Sequence, residues 1–454
     1  MARISWSCFA MLLATCLVAP TTAAADRPHI VFVLADDLGL GDLTCYGGTG
    51  APTPNLDRLA KEGTRFARYY VASPICSPSR AALITGHFPA RWRLTSYLQT
   101  RAGNRGCEQA DFLDPAAPSF PRQLQAAGYA TAHFGKWHLG GGRDVAGPPK
   151  FAAYGYDEHA GTYESPEPHP DITATNWIWS DKDKVKRWDR SAFFVDKALD
   201  FVRRQKAANR PAFVNVWLDD PHTPWVLPGG APKGETKPPN LKGVLTEMDR
   251  QIGRLIDGLR ELGVERDTLI IFASDNGPLP TYGQSRTAGL RGAKLSLYEG
   301  GVRVPLIVRW PGRIPANRVD NDSIVSGVDW LPTLSAIAGA KVPEGYTGDG
   351  QDVSAAVLAG QSVERKSPLF WEYGRNEKFF AFPGDKTNRS PSLAALDGKW
   401  KLLVNADGGR RELYDLSADA KESTNLTEKE PATADRLAQA VLTWRQSLPK
   451  LEDK

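Results

Sequence analysis

The chain is poor in net charge, in cysteine and in long apolar runs. Its 454 residues carry a formal net charge of only +4, with seven histidines and five cysteines. So small a positive excess does not favour nucleic acid as a partner, although a local basic pocket for an anionic substrate remains compatible with it. The composition is otherwise that of an ordinary globular protein, with 41% hydrophobic and 24% charged residues.

Only the N-terminus has the apolar character of a targeting segment. Arg3 is followed by apolar residues 8–18 and by small residues at 21–25, the order found in an export signal. The apolar part is shorter than the roughly 20 residues that a membrane span needs. We expect residues 1–25 to be a signal peptide and the protein to be exported to the periplasm or the cell exterior, without a membrane span. A lipoprotein anchor at Cys16 is a minor alternative.

Loss of this leader would leave Cys45, Cys76 and Cys107. Three is an odd number in an oxidising compartment, which indicates one thiol with a special role. The sequence leaves open whether Cys45 and Cys107 pair.

Cys76 lies in the stretch SPICSPSRAALITG, residues 73–86. Pro78 is suited to a first helical position and good helix formers follow it, so Cys76 is predicted at a helix N-terminus, where backbone N–H groups favour an anion. Arg80 is one turn further on and can point back to the same place. The pattern suits an anionic substrate beside a sulfur nucleophile, whereas a small buried cysteine at a helix start is the alternative.

Acidic residues follow two apolar runs that are predicted to be buried strands. Residues 29–35 lead into Asp36 and Asp37, and residues 268–273 lead into Asp275 and Asn276. Ligands bind outside the carboxyl ends of strands in open α/β sheets. Oxygen ligands without a thiolate or a histidine select Ca²⁺ or Mg²⁺. Taken alone, Asp36 and Asp37 are equally compatible with a turn or a helix cap.

Three further strands or loops deliver cationic and imidazole groups. Lys136 and His138 share a face just beyond a predicted strand at 129–135, and His222 follows a strand at 211–218 between two prolines. Lys294 lies in a glycine-rich loop. A surface lysine, a packed histidine and a turn histidine are the plainer interpretations of these residues.

Residues 141–190 contain no clear element but several tryptophans. A long irregular stretch in a compact domain is usually functional or disordered, and aromatic residues argue against disorder. We interpret the stretch as a substrate-facing insertion; a loop packed on the body by its own tryptophans has equal weight. A change of character near 339–366 predicts a catalytic domain at 26–345 and a small C-terminal domain of antiparallel sheet plus helix at 346–454.

Taken together, these motifs resemble the signature of the type I sulfatases, which depend on formylglycine and belong to the alkaline phosphatase superfamily. The match runs from about His29 to the C-terminus and is most like arylsulfatase A and the N-acetylgalactosamine-6-sulfatases. The motif residues are Ala35-Asp36-Asp37, Cys76-x-Pro78-Ser79-Arg80, Gly135-Lys136-Trp137-His138, His222, Ser274-Asp275-Asn276-Gly277 and Lys294. The resemblance implies an α/β fold, with a large mixed, mostly parallel sheet between helices and a smaller C-terminal α+β domain.

The resemblance also implies a mechanism. A formylglycine-generating enzyme would convert Cys76 to an aldehyde, whose hydrate attacks the sulfur of a sulfate ester. The residues implied for Ca²⁺, with Mg²⁺ as the alternative ion, are Asp36, Asp37, Asp275, Asn276 and the modified Cys76. The remaining roles follow the same analogy: Lys136 and Lys294 neutralise sulfate oxygens, His222 protonates the leaving oxygen, Arg80 supports residue 76, and His138 takes the proton that releases sulfate.

The implied enzyme is a secreted sulfuric ester hydrolase acting on O-sulfated sugars of a polysaccharide or glycosaminoglycan. Arg91, Trp92, Arg93 and Arg101 and the 141–190 segment are expected to read the sugar, since aromatic rings stack on sugars and arginines pair with carboxylates or sulfates. Two other functions stay open: a phosphate or phosphonate ester hydrolase of the same superfamily, and an inactive glycan-binding protein on the same scaffold.

Overall fold

The structure is a computed structural model that describes residues 27–162, 164–173, 180, 182–230 and 237–450. The predicted signal peptide, with Cys8 and Cys16, lies outside the described residues, as do Trp177 and Trp179. In the described part of the chain, no helix is both long enough and apolar enough to cross a bilayer.

The strands form one large sheet, a two-stranded ribbon and a separate antiparallel sheet. In chain order they are β1 (His29–Ala35), β2 (Thr64–Phe66), β3 (Tyr69–Tyr70), β4 (Ala130–Gly135), β5 (Glu158–Gly161), β6 (Ala212–Trp217), β7 (Thr268–Ser274), β8 (Leu306–Arg309), β9 (Arg318–Asp320), β10 (Val325–Ser326), β11 (Leu369–Glu372), β12 (Leu393–Asp397), β13 (Trp400–Val404) and β14 (Glu412–Asp415).

The helices flank these sheets. They are α1 (Pro54–Lys61), α2 (Cys76–Thr85), α3 (Arg101–Gly106), α4 (Phe120–Ala126), α5 (Arg190–Ala207), α6 (Pro238–Glu261), α7 (Glu299–Val302), α8 (Trp330–Ala338), α9 (Ser354–Ala359) and α10 (Pro431–Gln446).

The large sheet has the order β5-β4-β6-β1-β7-β8-β2-β9. Its first five strands are parallel, β8 is antiparallel to both of its neighbours, and β9 is parallel to β2. This confirms the predicted large, mixed and mostly parallel sheet.

Alternate residues of β1 face two different hydrophobic layers. Ile30 and Phe32 belong to a core that includes residues of α2, α4 and α8, whereas Val31 and Val33 belong to a core with residues of α1, α5 and α6. Because both faces of the strand are covered, its sequence is apolar throughout instead of alternating.

Two details differ from the sequence predictions. Helix α2 begins at Cys76 itself with Ile75 as its N-cap, so Pro78 is the third helical residue and not the first. Proline is tolerated there because the first four N–H groups of a helix have no partner within it. The segment 141–190 was also wrongly expected to lack elements, since β5 extends the large sheet at its edge. The four residues of β5, Glu158–Gly161, include a histidine and a glycine, and so short a pattern does not predict a strand.

Strands β11–β14 form an antiparallel sheet with α10 packed on β12 and β13. This sheet joins the rest of the chain through buried charges. Lys401 on β13 contacts Glu299 at 2.9 Å and Glu422 at 3.0 Å. Glu422 also accepts a hydrogen bond from the backbone N–H of Glu299, at 2.6 Å.

Candidate active site

The carboxyl ends of β1 and β7 place two acidic segments side by side. Ala35 and Ser274 are register partners, so Asp36 and Asp37 leave the sheet next to Asp275 and Asn276. The N–H of Asp37 donates to Oδ1 of Asp275 (3.1 Å), and Nδ2 of Asn276 donates to Oδ1 of Asp37 (2.7 Å). All four residues are buried, so the predicted oxygen cluster is assembled.

Two buried lysines lie against the aspartate pair. Nζ of Lys136 donates to Oδ2 of Asp36 at 2.6 Å, and Nζ of Lys294 donates to Oδ2 of Asp37 at 2.7 Å. The backbone N–H of Lys136 donates to the carbonyl of Trp217, at the end of β6, at 2.8 Å, which fixes the chain as it leaves β4. Burial disfavours both ammonium groups, but Asp36 and Asp37 outweigh it and raise the pKa of each lysine.

Cys76 is the first residue of α2 and is almost fully buried. Burial opposes its thiolate, but the positive charges of Lys136 and His138 prevail and lower the pKa of Cys76 to about 6. The three thiols Cys45, Cys76 and Cys107 are all free, which answers the open question of pairing.

Arg80 connects three segments of the site through hydrogen bonds. Its Nε and Nη2 donate to Oδ2 of Asp275 at 2.9 and 2.7 Å, and its Nη1 donates to the carbonyl of Lys136 at 2.8 Å. The guanidinium is fully buried, so it links α2, β7 and β4 beneath the oxygen cluster.

His138 has a left-handed backbone (φ 54°) that turns its ring into the site. Its Nε2 lies 2.9 Å from Oε2 of Glu164 and 3.1 Å from the carbonyl oxygen of Leu98. Burial disfavours the charged ring, but Glu164 and then Cys76 raise the pKa of His138 to about 9.

His222 is held at one ring nitrogen and points the other at the aspartates. Its Nδ1 contacts the carbonyl oxygen of Thr223 at 2.6 Å, and its Nε2 lies 3.6 Å from Oδ2 of Asp37. Arg187 clamps this turn by donating to the carbonyl of His222 at 3.0 Å. Burial and then the Lys294 ammonium lower the pKa of His222 to about 4.

The oxygen cluster fits a hard divalent cation. Oδ1 of Asp36 and Oδ1 of Asn276 are buried and accept no hydrogen bond from any described residue, which is costly unless a cation takes them. Single ligand atoms of Asp36, Asp37 and His222 lie within 4.8 Å of one another. The ring of His222 is therefore near enough to be a further cation ligand, although the sequence predicted oxygen ligands only. One oxygen of Asp275, Oδ2, already accepts hydrogen bonds from Arg80.

A narrow pocket, about 20 Å³ in volume, opens onto this cluster. Its lining residues are Asp36, Lys136, Thr162, Glu164, Arg190, Asp219 and His222. Four of these lining residues were not predicted from the sequence. Asp219 follows the end of β6 and was open to the same strand-end reasoning as Asp36, but Thr162, Glu164 and Arg190 carry no local signal.

The residues expected to read the sugar lie together. Arg91, Trp92, Arg93 and Arg101 line a second groove, with Arg105 beside them. Arg91 also donates from its Nε and Nη2 to Asp349, both at 2.7 Å, which fixes its position. This groove lies beside the chain that leads from Leu98, the neighbour of His138, into α3.

Comparison with known proteins agrees with this geometry. The sulfatase family profile matches residues 28–340, and the profile of the C-terminal region of N-sulphoglucosamine sulphohydrolase matches residues 293–446. The N-acetylgalactosamine-6-sulfatase of Sus scrofa is 35% identical over 381 residues, which are 78% of this chain and 70% of the relative. The N-acetylgalactosamine-6-O-sulfatase of Bacteroides thetaiotaomicron is 29% identical over 91% of this chain and 92% of its own length.

Among solved structures, Ps i-CgsB in complex with k-i-k-neocarrahexaose superposes with a TM-score of 0.75 and 26% identity. The superposition covers 94% of each chain, so the similarity includes the C-terminal sheet as well as the large one.

Proposed function

The chain belongs to the sulfatase family and is a sulfuric ester hydrolase, and on that premise we propose that it removes sulfate from O-sulfated sugars of a polysaccharide or glycosaminoglycan. The observation that carries this proposal is the convergence of Lys136, Lys294 and His222 on one buried aspartate pair, with Cys76 close to both lysines. The relatives named N-acetylgalactosamine-6-sulfatase make 6-O-sulfated hexosamines the first substrates to test.

The nucleophile in this proposal comes from Cys76, which a formylglycine-generating enzyme converts to an aldehyde during biosynthesis. The hydrated aldehyde supplies a hydroxyl nucleophile that a plain thiol does not. Position 76 suits this use, because it opens α2 and lies beside Lys136 and His138.

Asp36, Asp37 and Asn276 would hold the divalent cation, most simply Ca²⁺, with Asp275 and residue 76 alongside. The two unpartnered oxygens, on Asp36 and Asn276, support this assignment. The cation supplies positive charge that favours ionisation of a bound hydroxyl.

The side chains around the cluster divide the remaining work. Lys136 and Lys294 would bind sulfate oxygens, where their charge stabilises the charge that develops in the transition state. His222 would act as the general acid for the bridging oxygen as the sugar leaves, because Thr223 fixes the ring and leaves Nε2 facing the aspartates. The ring is neutral in the free site, with its proton on Nδ1, so it would first take up a proton at Nε2, which an anionic sulfate group beside it favours. Arg80 would keep Asp275 in place.

The groove formed by Arg93, Arg101 and Arg105 would bind further anionic groups of the polymer. Export through a signal peptide at 1–25, and division into a catalytic domain (26–345) and a C-terminal domain (346–454), are parts of the same proposal. They agree with a substrate that is found outside the cell.

The decisive experiment combines mass spectrometry with a substrate panel. Protein made with a formylglycine-generating enzyme is digested, and the peptide across Cys76 is weighed for loss of the thiol in favour of the aldehyde or its hydrate. The same protein is assayed on 6-O- and 4-O-sulfated N-acetylgalactosamine and on 4-nitrophenyl sulfate, with Cys76→Ala as the inactive control. Faster turnover of 4-nitrophenyl phosphate than of the sulfate would overturn the proposal, as would a binding-only result with the aldehyde present.

A further inference from the structure

Glu164 is a buried carboxylate that is tied to His138 twice. Its Oε2 lies 2.9 Å from Nε2 of His138, and its backbone carbonyl accepts a hydrogen bond from the N–H of His138 at 3.1 Å. Its other oxygen, Oε1, accepts a hydrogen bond from Nε of Arg143 at 2.8 Å. The side chain is only 4% exposed, so this geometry has little freedom.

The two ring nitrogens of His138 have different surroundings. Nε2 donates a hydrogen bond to the carbonyl of Leu98 and lies beside the carboxylate of Glu164, whereas Nδ1 is buried on the other side of the ring. The ring is also close to residue 76, since the charge of His138 helps to lower the pKa of the Cys76 thiol.

We propose that Glu164, clamped by Arg143, is the positioning residue for His138. The carboxylate lies 2.9 Å from Nε2, and the backbone carbonyl of the same residue accepts a hydrogen bond from the N–H of His138, so the buried ring is held in one orientation at the pocket. The negative charge also stabilises the ring when it carries a proton.

This inference rests on the proposed function, because it takes His138 as part of the site that acts through residue 76. It adds a residue that no sequence motif indicates, and it gives part of the 141–190 segment a role in the chemistry. Thr162 and Glu164 line the pocket, although β5, which precedes them, is an edge strand.

The test is Glu164→Gln, which keeps the shape and an acceptor for Arg143 but removes the charge. We expect kcat for 4-nitrophenyl sulfate to fall about 10- to 100-fold, with KM changed by less than about threefold. Glu167→Gln is the matched control: Glu167 is 30% exposed, lies in the same segment and faces His159 at 3.5 Å outside the pocket. Its kcat should stay within about twofold of wild type.

A spectroscopic readout separates positioning from a structural role. In protein labelled with ¹⁵N-histidine, with His138 assigned through His138→Gln, the ring nitrogens of His138 should shift at pH 7 in E164Q and stay unchanged in E167Q. Arg143→Met removes the hydrogen bond to Glu164 but keeps the carboxylate, so it should give a smaller loss in kcat, about threefold to tenfold. It replaces E164Q as the test variant if E164Q does not fold.

The inference would be overturned if E164Q kept an unchanged His138 spectrum and a kcat within twofold of wild type. If E164Q does not fold, the same result in R143M would overturn it. Either result would leave the sulfatase function standing. Absence of the aldehyde at residue 76 and of sulfate release in wild-type protein would instead overturn the proposed function. The histidine spectra can be recorded whether or not residue 76 carries the aldehyde, so the two failures are distinguishable.

Discussion

Nη2 of Arg80 lies 2.7 Å from Oδ2 of Asp275, and both side chains are fully buried. The two residues are 195 positions apart in the chain, and a third contact runs from Arg80 to the backbone of Lys136. Replacing one partner of a buried pair leaves an uncompensated charge. The Arg80–Asp275 pair is thus a structural support of the site as well as part of its charge.

Arg80→Met should lower the free energy of unfolding by about 3 kcal/mol or more, because Asp275 loses its partner inside the protein. Urea titration followed by circular dichroism measures the loss. Arg58→Met is the control: its pair with Asp257 has 30% and 48% of the side chains exposed, and we expect less than about 1 kcal/mol. Equal losses in the two variants would contradict a special role for Arg80.

Added Ca²⁺ should raise the melting temperature of the protein, because the oxygens of Asp36 and Asn276 gain a ligand only in the folded state. At one hundred times the dissociation constant the gain is about 2.7 kcal/mol. Asn276→Ala should abolish most of the shift. Asp196→Asn should keep it, since the Asp196 side chain on α5 is 60% exposed and pairs with Arg254. Differential scanning calorimetry with Ca²⁺, Mg²⁺ and a chelator checks both statements.

Lys136→Met should lower kcat/KM for sulfate esters by about 10²- to 10³-fold, because a charge that stabilises the transition state is lost. Lys150→Met, a lysine that is 74% exposed and pairs with Glu167, should leave the kinetics unchanged. Steady-state assays on 4-nitrophenyl sulfate measure the difference. A change in KM alone would assign Lys136 to ground-state binding.

His222→Gln should affect substrates according to their leaving group. A sugar alcohol needs a proton as it departs, so kcat for a sulfated sugar should fall about 10²- to 10⁴-fold. 4-Nitrophenolate leaves without that help, and its ester should lose less than about tenfold. Equal losses on the two substrates would show that His222 does not act as the general acid.

Glu422 gives the protein a dependence of stability on pH. Burial, opposed by Lys401 and reinforced by Glu299, raises the pKa of Glu422 to about 7 from the value of 4.5 expected in the unfolded chain. Between these values the folded state binds more protons than the unfolded state, so stability falls as pH rises through this window. Glu422→Gln should flatten the fall between pH 5 and pH 7 in urea unfolding; an unchanged slope would contradict it. Glu428→Gln, on an exposed residue of the same segment, is the control.

The oxygen cluster was predictable because its signal is local. An apolar run marks each buried strand, an acidic pair marks its end, and parallel neighbours bring their carboxyl ends to one edge of the sheet. Asp36 and Asp275 meet for that reason. The C-x-P-S-R motif likewise placed Cys76 at the start of a helix, although it misplaced Pro78 by two positions.

Contacts made across the fold were not predictable in this way. Arg91 lines the second groove, but its pairing with Asp349, 258 positions away, has no signal in the sequence. Glu164 was overlooked because a single glutamate in an irregular segment has no pattern, and β5 was overlooked because an edge strand of four residues has almost none.

The sequence by itself therefore determined the central strands of the large sheet, the residues at their carboxyl ends and the chemistry that those residues can support. Strand periodicity and strand-end position are properties of neighbouring residues. Only the tertiary structure decided which charges pair. Arg80 with Asp275, Lys401 with Glu299, and Glu164 with His138 depend on side-chain distances of about 3 Å between separate segments. Such distances follow from how the layers pack, and no local pattern encodes them.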